Sequence, residues 1–181
     1  MKEKNSTTEY AAEEFGTRYA VPADCVERAL VMALSALCSP VLGERALRIR
    51  DEVIVVTPSA AALSALDQLR LLPVKAADAK SALEAALSPA VRAVVVSHLP
   101  NAQIDLKTVR NFCNTYELWM IEDSSEVIGA SYDFDGTVYP LGAVGDVGVA
   151  RCEKSGGYAI LTRDTMLDRL IREALEGMSY I

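Results

Sequence analysis

Three apolar runs constrain this chain more than any other feature: Val53-Ile54-Val55-Val56, Val91-Arg92-Ala93-Val94-Val95-Val96-Ser97 and Leu118-Trp119-Met120-Ile121. Each is short, rich in β-branched or bulky residues, and almost continuously apolar. A strand reads this way when both of its faces are buried, which requires a mainly parallel sheet with helices on either side. Between the runs, residues 59–71, 80–87 and 105–116 carry helical spacing. Asp105 stands at the start of the last, where a carboxylate suits the helix dipole. Pro73-Val74 reads as a short extended piece. An amphipathic helix over 9–15 stops at Gly16, and a helix over 25–38, with Asp24 as its N-cap, ends before Pro40.

After residue 128 the pattern changes. Residues 129–145 are rich in Gly, Tyr and Asp and read as a hairpin or loop. Residues 147–152 and 158–162 form two short strands close in sequence, so part of the sheet is antiparallel, and 163–176 is a closing helix. The expected architecture is α/β, a three-layer sandwich with a mainly parallel mixed sheet. No repeat or linker divides residues 1–181, so one domain is the economical reading.

Composition narrows the function. With 51% hydrophobic residues in 181, the chain can bury a core and is not disordered. Lys and Arg total 18 against 25 Asp and Glu, a net charge of −7 with no basic run, which argues against nucleic acid as a partner. The polar start, Met1-Lys2-Glu3-Lys4-Asn5-Ser6-Thr7-Thr8, has no apolar run behind it, so neither a signal peptide nor an anchor is expected. No apolar stretch reaches the roughly 18 residues of a spanning helix. Cys25, Cys38, Cys113 and Cys152 form no C-x-x-C pair, and the chain has a single His, so no zinc site is encoded. These cysteines read mostly as small buried apolar residues, and the expected location is cytoplasmic.

In an open α/β sheet, ligands gather at the carboxyl ends of the strands. Asp123, just after the third run, has two readings: a loop or capping carboxylate, or a carboxylate that pairs with a ligand cation. The residues around it carry a resemblance. Leu118-Trp119-Met120-Ile121-Glu122-Asp123-Ser124-Ser125-Glu126-Val127-Ile128-Gly129-Ala130, followed by Gly142-Ala143-Val144-Gly145-Asp146-Val147-Gly148, resembles the core signature of the DegT/DnrJ/StrS family. Those are fold-type-I, pyridoxal-phosphate-dependent enzymes acting on nucleotide-linked keto sugars. The stretch from Leu34 through Leu47, Asp51-Glu52-Val53-Ile54, and Ser97-His98-Leu99-Pro100-Asn101 with Asp105-Leu106 are most similar to the CDP-4-keto-6-deoxyglucose 3-dehydrase branch.

The resemblance implies the large domain of a PLP-dependent, aspartate aminotransferase-like transferase. It implies that Asp123 matches the aspartate paired with the cofactor's pyridine nitrogen, keeping the ring an electron sink. Glu126 falls where the family has a Gln or an acidic residue beside the ring. His98 matches a His near the cofactor pocket, with a satisfied structural histidine as its alternative.

Other positions depart from the family. Its phosphate cradle, a Ser-Gly-Thr or Ser-Gly-Ser-Ser turn at a helix N-terminus, is here Cys25-Val26-Glu27-Arg28. Val26 removes the close backbone approach that glycine allows, and Glu27 brings a negative charge. The aromatic that covers the ring is missing from Thr57-Pro58-Ser59-Ala60-Ala61-Ala62. The phosphate-contacting Ser of the following strand is Arg151. In the shortened loop Val149-Ala150-Arg151-Cys152-Glu153-Lys154-Ser155-Gly156-Gly157-Tyr158, Lys154 aligns just before the Schiff-base position and reads either as a weak catalytic candidate or as a solvated loop lysine.

Family members are much longer, so the resemblance implies a truncated large domain spanning 1–181 with the C-terminal small domain absent. The expected function is that of a catalytically inactive homologue of a nucleotide-sugar 3-dehydrase or aminotransferase, an auxiliary subunit in deoxysugar biosynthesis. Its expected partner is another copy of itself, in a homo-oligomer, or a full-length family member in a heteromer. No cofactor is expected; PLP or PMP enters by resemblance only, and no metal is expected. The alternative is a PLP/PMP-dependent component active only when another subunit complements it. A decaying gene product without a selected role is a further reading.

Overall fold

The computed structural model describes residues 6–154 and 156–178. Its strands are β1 (Tyr19–Ala23), β2 (Glu52–Val56), β3 (Leu72–Lys75), β4 (Val91–Ser97), β5 (Trp119–Ser124), β6 (Ser131–Phe134), β7 (Thr137–Pro140), β8 (Val147–Arg151) and β9 (Tyr158–Thr162). Its helices are α1 (Ser6–Phe15), α2 (Val26–Leu37), α3 (Ala60–Gln68), α4 (Lys80–Ala86), α5 (Leu106–Tyr116) and α6 (Thr165–Met178), with a 3-10 segment over Pro40–Arg45. Seven strands form one sheet in the order β1-β9-β8-β5-β4-β2-β3, and β6 and β7 pair separately. The run β8-β5-β4-β2-β3 is parallel, and β9 is antiparallel to both neighbours. The mixed, mainly parallel sheet expected from the apolar runs is present.

Register explains why those runs are continuous. Val55 faces Val95, which faces Ile121, which faces Val147; one residue earlier, Ile54, Val94 and Met120 align. The first row packs under α2, α3 and α6, and the second under α4 and α5. Alternation along each strand sends neighbours to opposite faces, so a strand covered on both sides needs apolar residues at every position. α1 covers the far end of the second face, where Ala11 and Phe15 meet Ala20, Ala150 and Leu161.

The elements depart from expectation at a few places, each with a cause. β1 was not expected as a strand: it is short, contains Pro22, and pairs only with β9. Proline lacks a ladder donor and is tolerated at a sheet edge. The opposite edge strand, β3, likewise carries a proline, Pro73. The helix expected to reach residue 71 ends at Gln68, because Arg70 takes a left-handed conformation with φ 55°. Asp24 is not the N-cap of α2. Cys25 holds that place without a side-chain cap bond, and Asp24 instead accepts from the Cys25 N–H at 3.0 Å and from Arg28 at 3.2 Å. Asp105 does cap α5, accepting from the Thr108 N–H at 3.0 Å. The Gly-rich stretch contains the β6–β7 hairpin, turned by Asp135 and Gly136 at φ 53° and 85°. Positive φ at both central residues matches the right-handed twist of the paired strands.

Two of the four cysteines fit the buried reading. Cys113 and Cys152 are buried and Cys38 is half-buried, but Cys25, at the N-terminal end of α2, is exposed. Burial pushes the Cys113 thiol up to about 12. Desolvation, with the Asp51 charge adding to it, pushes Cys38 up to about 11. The thiolate is the reactive form. Alkylation of the native protein at neutral pH should therefore modify Cys25 first and leave Cys113 unmodified until denaturant is added, as peptide mass spectrometry would show.

Candidate functional site

The carboxyl ends of β2, β4 and β5 meet in a polar network, where an open α/β sheet places its ligands. Glu122 and Asp123 are consecutive in β5, so their side chains leave opposite faces of the sheet. Asp123 is 2% exposed. The Ser59 hydroxyl donates to its Oδ2 at 2.6 Å, and the Ser125 N–H and hydroxyl donate to its Oδ1 at 3.2 and 2.6 Å. Ser59 is itself held twice: its N–H donates to Ser97 Oγ at 3.0 Å, and its Oγ caps α3 by accepting from the Ala62 N–H at 3.0 Å. Thr57 Oγ1 closes the group by donating to the Ser97 carbonyl at 2.6 Å. Ser59→Ala removes both the cap and a donor to Asp123. Loss of such a cap costs about 0.5–2 kcal/mol, and urea unfolding should show a loss at the upper end of that range.

The other carboxylate organises the opposite face. Glu122 is fully buried, accepting from the Gly142 N–H at 3.0 Å, from the Val144 N–H at 2.6 Å and from the Gly145 N–H. His98 Nε2 lies 3.0 Å from Glu122 Oε2, while the His98 backbone N–H donates to the Asp123 carbonyl at 2.8 Å. The backbone of His98 touches Asp123, but its ring joins Glu122. Glu126 is exposed in the turn after β5.

Lys154 is also exposed. Its loop is tied to α1, where Glu14 accepts from the Glu153 N–H at 2.7 Å and from the Lys154 N–H at 3.5 Å. Arg151, at the end of β8, is exposed, and Ser155 lies outside the described residues.

Sequence reasoning missed Ser59, Ser97 and Glu122. Glu122 had a readable signal: in a run buried on both sides, two adjacent carboxylates must face opposite layers, and each needs its own donors. Ser59 had only its position before an Ala-rich helix.

A pyridoxal cofactor needs a cation-pairing carboxylate within reach, an anion cradle and cover over its ring. Asp123 supplies the carboxylate, but it is closed to solvent and already accepts three hydrogen bonds from Ser59 and Ser125, which leaves one of its about four acceptor sites. The first turn of α2 presents Glu27 to solvent, and Arg28 is drawn to Asp24. Segment 57–62 offers alanines where a ring would need a stacking partner. The residues present do not fit the cofactor.

Residues 4–151 match the DegT/DnrJ/EryC1/StrS aminotransferase family. The lipopolysaccharide biosynthesis protein RfbH of Salmonella typhimurium is 32% identical over 152 residues, covering 78% of this chain and 35% of that protein. The dTDP-4-dehydro-2,6-dideoxy-D-glucose 3-dehydratase of Saccharopolyspora spinosa is 28% identical over 171 residues, covering 88% of this chain and 37% of that one. The chain thus spans about a third of the length of these curated relatives. In structure, the E. coli GDP-4-keto-6-deoxy-D-mannose-3-dehydratase with bound hydrated PLP superposes with a TM-score of 0.75 at 19% identity, over 91% of this chain and 44% of that one. The fold is thus that of PLP-dependent aminotransferase-like proteins. With the sequence match running through the β5 carboxylates and the glycine turn that Glu122 holds, the chain belongs to the DegT/DnrJ/EryC1/StrS aminotransferase family.

Proposed function

We propose that this chain is a non-catalytic member of its family, serving as an auxiliary subunit in nucleotide-linked deoxysugar biosynthesis. Its partner is a second copy of itself or a full-length, catalytic family member. The observation that carries the reading is the closure of Asp123: the one carboxylate placed to hold a pyridinium is buried and satisfied by Ser59 and Ser125. Three features support it. Glu27 stands at the turn where a phosphate would need donors, no aromatic follows β2, and the Lys154 loop is held back by Glu14. Exposed Val41 and Ile49, on either side of residues 42–48, add apolar surface suited to a protein contact.

The second reading, a PLP/PMP-dependent component completed by another subunit, is favoured by the retention of Asp123 itself. One experiment separates the two. The purified chain, alone and co-expressed with a complete family member, is titrated with PLP and with PMP, reduced with borohydride, and mapped by peptide mass spectrometry. The non-catalytic reading expects co-purification or self-association, no saturable absorbance band from this chain, and no adduct on Lys154. A saturable band, or a reduced adduct on Lys154, would overturn it in favour of complementation.

A further inference from the structure

A cleft of about 820 Å³ opens at the amino ends of β2, β4 and β5, at the opposite end of the sheet from Asp123. Three cations line it, Arg45, Arg48 and Arg92, and so do three carboxylates, Glu44, Asp51 and Glu117. Among the described residues none of the six is in an ion pair. Two of the cations are nevertheless held in place. The Arg45 guanidinium lies 3.6 Å from the centre of the Trp119 ring, whose Nε1–H donates to the Arg45 carbonyl at 2.7 Å. Arg92 Nη1 donates to the Pro89 and Val91 carbonyls at 2.9 and 3.1 Å. Asp51 is fixed too, accepting from the Arg48 N–H at 2.7 Å.

Charged groups that share a cleft without pairing have their strongest interactions still to make. Their balance identifies the partner. A uniformly acidic surface would meet three carboxylates here and a basic one three guanidinium groups, and like charges in contact are costly. A second copy related by a two-fold axis meets neither penalty. Such an axis sets position i against j and j against i, so each cation of one copy can face a carboxylate of the other. The whole chain carries −7, so two copies repel at long range, and least where the local charge is balanced. Apolar surface is at hand. Tyr116 on the cleft wall is 39% exposed, and Val41 and Ile49, which bracket Glu44, Arg45 and Arg48 in sequence, are 57% and 65% exposed. Arg and Tyr are residue types that anchor protein interfaces, and guanidinium groups already pinned lose less freedom on docking.

We propose that two copies of this chain associate about a two-fold axis through this face, the guanidinium groups of each pairing with the carboxylates of the other. The dimer gives a surface and a partner to the auxiliary subunit proposed above, and it rests on that reading. The contact lies at the far end of the sheet from Asp123, so substitutions in it leave the Asp123 end unaltered.

Sedimentation velocity tests the dimer with two double variants. Arg48→Glu with Arg92→Glu makes the face acidic, and Glu44→Arg with Glu117→Arg makes it basic. All four residues are exposed, and circular dichroism checks that the fold is kept. At about 100 μM chain and about 50 mM NaCl, the parent should be a dimer, and each double variant alone should associate about tenfold or more weakly. An equimolar mixture of the two variants should restore the dimer. Trp119 is the only tryptophan and lies under Arg45, so its emission should change along the same dilution curve as the mass. A monomeric parent overturns the proposal; if that monomer still holds a co-expressed complete family member, the occupant is that member and the proposed function stands. Double variants that both dimerise like the parent, or dissociation that leaves Trp119 emission unchanged, overturn this face while self-association survives. A mixture that stays monomeric overturns the charge pairing. Failure of the proposed function is read separately, as a PLP band or a Lys154 adduct, neither of which involves these four positions.

Discussion

Gly148→Ala should abolish the native fold or cost on the order of 4 kcal/mol or more, at the far end of what single substitutions do. A β-carbon at position 148 would sit 1.8 Å from the Gly142 carbonyl oxygen, inside the van der Waals radius of a backbone atom. The obstructing peptide cannot simply move aside. The Gly142 N–H is bound to Glu122, and the Ser124 hydroxyl reaches the Leu141 carbonyl at 3.1 Å. Gly142 itself has φ 92°, and a β-carbon there would meet Ser124 Oγ at 2.7 Å. Against a typical total stability of about 5–15 kcal/mol, such a loss unfolds much of the population. Urea titration followed by circular dichroism gives the comparison, with Gly177→Ala as the control. Gly177 lies in α6 with nothing within 4 Å of the added carbon, so alanine there should stabilise by about 0.5–1 kcal/mol. A Gly148→Ala protein as stable as the parent would mean that the 141–145 segment is not packed on β8.

Glu122→Ala carries the second large effect, about 3–5 kcal/mol. It removes the acceptor for the Gly142, Val144 and Gly145 N–H groups and the partner of His98 in one step. Each buried donor left unmet costs about 1–3 kcal/mol before relaxation. Glu122→Gln keeps an acceptor oxygen but turns an N–H₂ toward other donors, so its loss should fall between zero and that of alanine. A double-mutant cycle with His98→Gln isolates the histidine share. If Glu122→Ala and Glu122→Gln unfold at the same urea concentration as the parent, the carboxylate is not what holds the turn.

The strands buried on both faces were legible because their burial leaves a compositional trace at every residue. The fold class and the family signature around Asp123 rest on those same residues. β1 left almost no trace: it is short, carries a proline, and owes its place to a partner strand far along the chain. The site was legible only in part. Position after β5 identified Asp123, but not its occupation by Ser59, since that contact depends on how the α3 cap meets the end of β4. His98 was ambiguous for a similar reason. Sequence places it beside the β4 terminus without saying which of two adjacent carboxylates its ring will choose. The glycines at 142, 145 and 148 stood in a visible motif, yet only the packing of the 141–145 segment against β8 and β5 explains why no side chain fits there.

Both margins of the sheet end in strands interrupted by proline, Pro22 in β1 and Pro73 in β3. Leu72 and Ala76 direct their N–H groups inward to the Asp51 and Val55 carbonyls, so the outward positions are Pro73 and Lys75. One of these has no donor to offer and the other carries a charge. Growth of the seven-stranded sheet by adding a strand from another molecule is thus disfavoured at both of its margins. With those margins disfavoured, the helices, the loops and the β6–β7 hairpin are the surfaces left to meet a partner. That makes specificity a matter of surface shape and charge, and it leaves the protein poorly suited to seeding edge-to-edge fibrils from its native state.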